Sequence, residues 1–473
     1  MRPSGEGGCC DLIFGTVKDG RCGAEVYGGY ASWLSRLVPD PNRDPNQRCQ
    51  RMTEKRLGFA IPAEVSPPQF LLPVVMLAVL TISLGFGILL PQLPALIERF
   101  LGDASTTVRV SRATGLLTAL YMAALFVFAP FWGRLSDHWG RRPVLLIGLA
   151  GFGATMIAFA FFETLTAVYV ERALSGVFAA AVTPVALAAV TDFTVAKAAL
   201  GRRLTFVSVA GITGFLLGPT LGVALTRSFS GIGGAAGALT VPLMATGGLA
   251  LIAALAVSVT LPVSGSMPRT VDEAAPVTEP GLVRRLLALG FVVSAGVAVF
   301  EVGLALRGKQ ELGLTPVQIA LMFTLCSGVM IVVQAAVFSP LIKPDSTRWL
   351  IAPAFAVMGV SLFAVPLAAD FRAMLAVVGA VAASAGILSP ILTYWIASHA
   401  GHKSGADLGK QTSAASLGAA VGSAAGGLLY NVTWLPNATF VLTAGVALLA
   451  VWASLSLPGR LVPKDIASPS TAK

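Results

Sequence analysis

Three places in this chain set ionisable side chains where their surroundings or spacing give them chemistry to do. Glu301 lies in the run Val299-Phe300-Glu301-Val302, the only acid deep in an apolar stretch of the second half. A carboxyl held among apolar neighbours can serve as a site of proton uptake and release. The alternative is a boundary residue paired with Arg307. Arg172, with Glu171 beside it, lies about two turns into another apolar run. A charge within a membrane span costs about 2.5–3.5 kcal/mol on insertion scales, so Arg172 must face a partner or a wet cavity. Otherwise it snorkels along its own methylenes to an interface. The third place is a turn-rich loop, Gly133-Arg-Leu-Ser-Asp137-His-Trp-Gly140-Arg141-Arg142-Pro143. A topology signal explains the arginines there, but not Asp137, Gly133 or Gly140.

Other kinds of chemistry find no support. His399-x-x-His402 has helical ligand spacing but sits in a basic loop with no third ligand, so no metal site is expected. Cys9, Cys10, Cys22 and Cys49 fit no paired C-x-x-C pattern, and Cys326 lies in an apolar run. No phosphate loop, nucleotide fold or hydrolytic triad is present, which argues against an enzyme and against ATP-driven work within this chain. No cofactor is expected.

These residues are carried by a chain of 473 residues that is 55% hydrophobic and 12% charged, with mean hydropathy +0.79. Soluble domains carry about 25% charged residues, so a soluble enzyme, a disordered protein and a nucleic-acid module are all excluded. A helix needs about 20 mainly apolar residues to cross the hydrocarbon core. Six such runs are Phe70–Leu93, Ala113–Trp132, Pro143–Phe162, Leu165–Val190, Leu204–Leu225 and Leu239–Leu261. A polar linker at 262–285 separates them from six more: Leu286–Leu306, Pro316–Ile342, Trp349–Leu367, Ala373–Ile396, Thr412–Tyr430 and Ala438–Leu457. Lipid offers backbone groups no partners, so these are helices, and continuous apolar runs do not fit β-barrel strands.

The fold class is therefore all-α integral membrane, with twelve spans as two six-helix bundles at 70–261 and 286–457. Placing the N-terminus inside puts 16 of the 33 Lys and Arg in the even-numbered loops and C-terminal tail, and seven in the outer loops. Both termini are thus expected in the cytoplasm, and the +10 net charge reports topology rather than a nucleic-acid partner. Residues 1–69 read as a disordered cytoplasmic extension, or as a mis-called start with Met52 as initiator; 458–473 reads as a cytoplasmic tail.

The halves carry a repeat. The fifth run holds Gly214-x-x-x-Gly218-x-x-x-Gly222 and the eleventh Gly418-x-x-x-Gly422-x-x-x-Gly426, 204 residues apart throughout. Spacing of four puts each set on one face, where another helix can approach closely. Phe131-Trp132-Gly133 and Phe338-Ser339-Pro340 end the second and eighth runs at a similar offset. Repeated halves around a midplane site are a common plan of secondary transporters.

The loop after the second run resembles the G-x-L-x-D-R-x-G-R-R signature of the major facilitator superfamily. Arg172-x-x-x-Gly176 resembles that family's R-x-x-Q-G motif. Gly214-x-x-x-Gly218-Pro219-x-x-Gly222 resembles the G-x-x-x-G-P-x-x-G-G motif of its twelve-span drug:proton antiporters. His138, Ser175 and Val223 depart from these patterns, and the likeness covers about residues 70–457. It implies a conformational latch: Asp137 meeting the positive end of the eleventh helix across the halves, and Arg141 pairing with Asp192. It also implies that Arg172 and Glu301 serve proton coupling. The first span holds no acid, unlike some drug antiporters.

Polar or aromatic residues within spans are the candidates for lining a cavity: Tyr121, Gln334, Tyr394 and Trp395, the last two also readable as interface anchors. Pro219 removes one helical hydrogen bond amid the glycine stripe. The expectation is a secondary transporter that exports a small amphipathic molecule or drug in exchange for protons, as a monomer in the bacterial inner membrane. The alternatives are an importer or facilitator for a sugar, organic acid or metal chelate, and a non-transporting receptor or scaffold.

Overall fold

A computed structural model describes residues 70–102, 106–192, 197–229, 234–261, 280–337, 344–399, 404–432, 437–459 and 461. The extension at 1–69 with its four cysteines and Met52, most of the linker, Phe338–Pro340, His402 and most of the C-terminal tail lie outside the described residues. The described residues form helices α1 (Leu71–Leu89), α2 (Leu93–Leu101), α3 (Thr107–Trp139), α4 (Arg141–Phe159), α5 (Leu165–Ala179), α6 (Val182–Asp192), α7 (Lys197–Ser228) and α8 (Gly234–Thr260). After the linker come α9 (Pro280–Gln310), α10 (Pro316–Val337), α11 (Ile351–Ala364), α12 (Phe371–His399), α13 (Ser404–Leu428) and α14 (Ala438–Ser454). No strand occurs among them. The first expected span is α1 plus α2, joined by a 3-10 turn at Leu90–Gln92, and the fourth is α5 plus α6. The other ten map one to one.

Ten of the twelve segments are long and apolar enough to cross a membrane. Two fall short for separate reasons. α14 is short, with 17 residues. α13, SGADLGKQTSAASLGAAVGSAAGGL, has spent its hydrophobic side chains on small residues that let neighbours close in. Several helices outrun the apolar stretches read from the sequence. α3 has 33 residues where the apolar run has 20, and α9 begins at Pro280 rather than Leu286.

Local chemistry sets the helix ends. Thr106 caps α3 by accepting from the Arg109 N–H at 3.3 Å, and Thr164 caps α5 by accepting from Ala167 N–H at 3.3 Å. Gly140 breaks α3 from α4 at φ 92°, a conformation that side-chain-bearing residues rarely adopt. That turn explains Gly140. Nothing comes within 4 Å of a Cβ placed on Gly133, and its packing explains no need for glycine.

The two halves pack alike. α7 lies along α1 as α13 lies along α9; α3 meets α5 as α10 meets α12; α4 meets α8 as α11 meets α14. Those are spans one with five, two with four and three with six, each repeated six spans later. The glycine stripes make the closest of these contacts. A methyl on Gly214 would strike the Leu80 carbonyl, and one on Gly218 would stand 2.6 Å from the Gly87 carbonyl carbon. Correspondingly, Gly418 lies on the Phe291 carbonyl and Gly422 on the Ala295 carbonyl. Between the halves, α3 packs on α13 and α7 on α10.

Candidate functional site

Arg172 and Glu171 lie against α3 and α4, in the half of α5 farther from the Asp137 loop. Arg172 Nε donates to Glu171 Oε2 at 2.6 Å and Nη2 to Oε1 at 2.8 Å, a two-point pair. The residues are 3% and 1% exposed. Arg172 therefore does not snorkel. Its guanidinium stands 5.5 Å from the Tyr121 ring and 5.3 Å from that of Phe159, which adds cation–π attraction in a desolvated place. Gly176 explains how α3 reaches this point: a Cβ there would stand 2.7 Å from the Tyr121 carbonyl oxygen. The Arg-x-x-x-Gly spacing thus puts the charge and the close helix approach one turn apart.

Tyr121 begins a row of aromatic rings that leaves the first half for the second. It stacks on Phe86 of α1 at 5.4 Å, Phe86 stacks on Phe215 of α7 at 5.8 Å, and Phe215 meets Phe323 of α10 edge-on at 6.4 Å. One turn along α10, Cys326 lies within electrostatic reach of Glu301. Glu301 is partly buried and makes no hydrogen bond or ion pair among the described residues. The row runs from the Arg172–Glu171 pair to α10, which packs on the α9 that carries Glu301. No sequence pattern marks Phe86, Phe215 or Phe323, or the pairing role of Glu171.

The alternative reading of Glu301, a boundary residue paired with Arg307, does not fit the geometry. Glu301 is not at the end of its helix, because α9 continues for nine residues beyond it to Gln310. Nor does Arg307 pair with it. Arg307 is engaged by Glu311 and donates to the carbonyls of Pro366 at 2.9 Å and Ala368 at 3.1 Å. Among the cavity candidates, Trp395 is buried, its indole N–H donating to Thr347 Oγ1 at 3.1 Å, which makes it a packing anchor rather than a lining residue. Tyr394 packs edge-on against it at 5.3 Å. Gln334 is half-buried on α10 and has no hydrogen bond among the described residues.

At the loop between α3 and α4, Arg141 joins three helices. Its Nε donates to Asp192 Oδ2 of α6 at 2.8 Å, and its Nη1 donates to Asp137 Oδ1 and Ser136 Oγ of α3, each at 2.6 Å. Arg142 donates to the Ser258 carbonyl of α8. All of these ties lie inside the first half. Asp137, with its side chain 62% exposed, is paired with Arg141 and makes no contact with α13 among the described side chains. The end of α13 that Asp137 is expected to meet has its side chains, 404–409, outside the described residues.

The halves are joined at the opposite end. There Lys309 of α9 pairs with Glu98 of α2. Ser111 Oγ of α3 lies 3.3 Å from Gln310 Oε1 and accepts from the Asn431 amide at 2.8 Å. Gly115 and Gly427 touch backbone to backbone, leaving no room for a side chain on either. Tyr430 donates to Glu311 Oε1 at 2.6 Å, tying this cluster to Arg307.

A cavity of about 370 Å³ lies between α1, α7 and α8, with Leu84, Ile88, Leu221, Leu225, Thr246 and Leu249 among its lining. Thr246 Oγ1 already donates to the Pro242 carbonyl at 2.8 Å, so the surface is apolar in effect.

Two helical halves with matching packing, charges buried inside and joined at one end define a polytopic membrane carrier. The family model of the Major Facilitator Superfamily matches residues 75–344 and 286–472, and the chain belongs to that superfamily. It is an integral membrane protein of a transporter family that handles small molecules. It is 26% identical to Multidrug resistance protein 2 of Bacillus subtilis over 383 residues, covering 78% of this chain and 92% of that one. A local match of 151 residues, 34% identical, links it to the class H tetracycline resistance protein of Pasteurella multocida, over 32% of this chain and 36% of that one. The crystal structure of the human organic anion transporter MFSD10 (TETRAN) superposes with TM-score 0.63 at 21% identity, over 82% of this chain and 99% of that one, and shares its fold.

Proposed function

We propose that this chain exports small amphipathic molecules, drugs among them, in exchange for protons, by alternating access between its halves. The relatives named for multidrug and tetracycline resistance support the direction and substrate class. The observation that carries the reading is Glu301: a carboxyl well inside α9, unpaired among the described residues, on a helix that packs against α10. An unpaired acid in an apolar bundle suits proton exchange, and the row of rings across the halves offers flat apolar surface to a substrate. Protons would be the driving ion, and the working unit a monomer.

The excess of Lys and Arg in the even loops supports a cytoplasmic location for the Asp137 loop and both termini, in a bacterial inner membrane. On that assignment the conformation is sealed outside by the Lys309–Glu98 and Ser111–Asn431 contacts. The Arg141 cluster would act as the inner latch, with Asp137 free to swing to the α13 end when the inner side closes. Everted vesicles containing the chain should accumulate tetracycline or ethidium when their lumen is acidified, and lose it on adding an uncoupler. Glu301→Gln should abolish the dependence on the pH gradient. Uptake unaffected by the uncoupler, or a gradient dependence unchanged by Glu301→Gln, would refute this reading.

A further inference from the structure

We propose that Arg348, on the 3-10 helix between α10 and α11, holds the phosphate of an anionic phospholipid headgroup. This site is independent of what the chain transports and draws on the reading above only for the inward placement of the even loops.

The offset of 207 residues that relates Phe131-Trp132-Gly133 to Phe338-Ser339-Pro340 also relates Arg141 to Arg348. Each lies in the loop between the second and third spans of its half. Their surroundings differ. Arg141 donates to Ser136, Asp137 and Asp192. At the same offset the sequence has Lys343, Pro344 and His399. The second half thus keeps the arginine and has replaced every side chain that accepts from its counterpart. The neighbouring helices do not make good the loss, because α10, α11 and α12 contain no acid. Asp345 is the one acid in the loop, and its side chain lies outside the described residues.

The 3-10 helix spans Pro344–Leu350 and packs on α11 and α12. Buried Trp395 pins it, its indole N–H donating to Thr347 Oγ1 at 3.1 Å. Arg348 is therefore carried on a fixed element. It makes no hydrogen bond or ion pair among the described residues, and its guanidinium stands 5.6 Å from the ring of Trp349. Its Nε is shut away from solvent without an acceptor, although the residue stays partly exposed. Arg307 Nε is likewise without an acceptor, but that guanidinium is met by Glu311. Arg348 is left half out of water with no countercharge.

Withdrawing a charge from water is costly unless an opposite charge meets it. At the cytoplasmic face the membrane itself supplies one, since that leaflet carries anionic lipid. A guanidinium presents a planar fork that matches two phosphate oxygens. Trp349 is 63% exposed beside it, and tryptophan favours the depth of the headgroups. A free phosphate would meet the same fork, but only a lipid also brings an acyl chain to lie against the indole.

Thermal unfolding of the full chain in nanodiscs of phosphatidylcholine, with and without phosphatidylglycerol, tests this. Nanodiscs expose both faces, so the outcome does not depend on which end of the protein is cytoplasmic. Phosphatidylglycerol should raise the unfolding temperature of the wild type, because a lipid bound to the folded state stabilises it. Arg348→Gln should lose most of that rise while unfolding with the wild type in phosphatidylcholine alone, and Arg348→Lys should keep part of it. Arg134→Gln, which removes an exposed arginine from the matching loop, should keep all of it. Inorganic phosphate added to phosphatidylcholine nanodiscs should leave the wild type unchanged. No rise in the wild type, a rise that Arg348→Gln keeps, or one that Arg134→Gln loses equally would overturn the proposal. An Arg348→Gln that unfolds earlier in both lipids alike would make the arginine a packing residue. A rise from inorganic phosphate equal to that from phosphatidylglycerol would overturn the assignment to lipid.

Discussion

A guanidinium inside a bilayer has to be neutralised close by, and Arg172 uses the residue next to it in the chain. Truncating one member of such a pair is expected to cost about 3–5 kcal/mol, since it strands the other charge. Arg172→Gln should therefore lower the unfolding temperature sharply in detergent, while Glu171→Gln/Arg172→Gln recovers most of the loss. Equal destabilisation by the single and double changes would show that the two charges are not coupled. At Asp137 the stability expectation is the reverse. Its side chain is 62% exposed and paired with Arg141, so Asp137→Asn should change stability by less than about 1 kcal/mol. Efflux should nevertheless fall, because the latch lacks its acid; normal efflux from a well-folded Asp137→Asn would remove the latch. Much of this was legible in the residues themselves. The depth of Arg172, the acid beside it and the oddity of Asp137 among arginines are all visible in sequence. Phe86, Phe215 and Phe323 were not, because 25 phenylalanines scattered through apolar runs look alike until non-consecutive helices sort them.

At the scale of helices, the glycine stripes were the most informative pattern, since spacing by four fixes which residues share a face. Each stripe lies on its partner's backbone, α7 on α1 and α13 on α9. Overpacking a tight contact costs about 1–3 kcal/mol where the neighbour can shift. A backbone carbonyl yields less readily than a side chain, so Gly214→Val and Gly418→Val should each reduce the yield of folded protein. Gly133→Ala, which meets open space, should leave the yield unchanged. Membrane expression followed by size-exclusion chromatography measures all three; wild-type yield from both valine variants would show that the stripes are not in contact. Helix ends were harder to read. Apolarity marks what sits in lipid, whereas α3 and α9 continue past it on hydrogen bonds that water tolerates. α13 shows the opposite limit: its small residues suit helix contact and blur the hydropathy by which a span is recognised.

Over the whole molecule, the repeat visible as a constant offset of 204 residues corresponds to repeated packing, with spans one and five mirrored by seven and eleven. What no single sequence could convey is which end of the bundle is shut, because the same residues must permit both arrangements. Here the end holding Glu98, Ser111, Lys309 and Asn431 is joined across the halves, and the described ties of Asp137 lie within the first half. Alternating access requires these two ends to move oppositely, and a ligand or proton can shift the balance only by binding the two arrangements unequally. The most direct measurement places spin labels on two pairs in the full chain in liposomes, His138 with Lys410 at the loop end and Arg112 with Val432 at the other. Changing pH, or adding tetracycline, should shorten the first distance in the same population in which the second lengthens. Two distances that stay fixed across pH and ligand, or that lengthen and shorten together, would contradict alternating access in this chain.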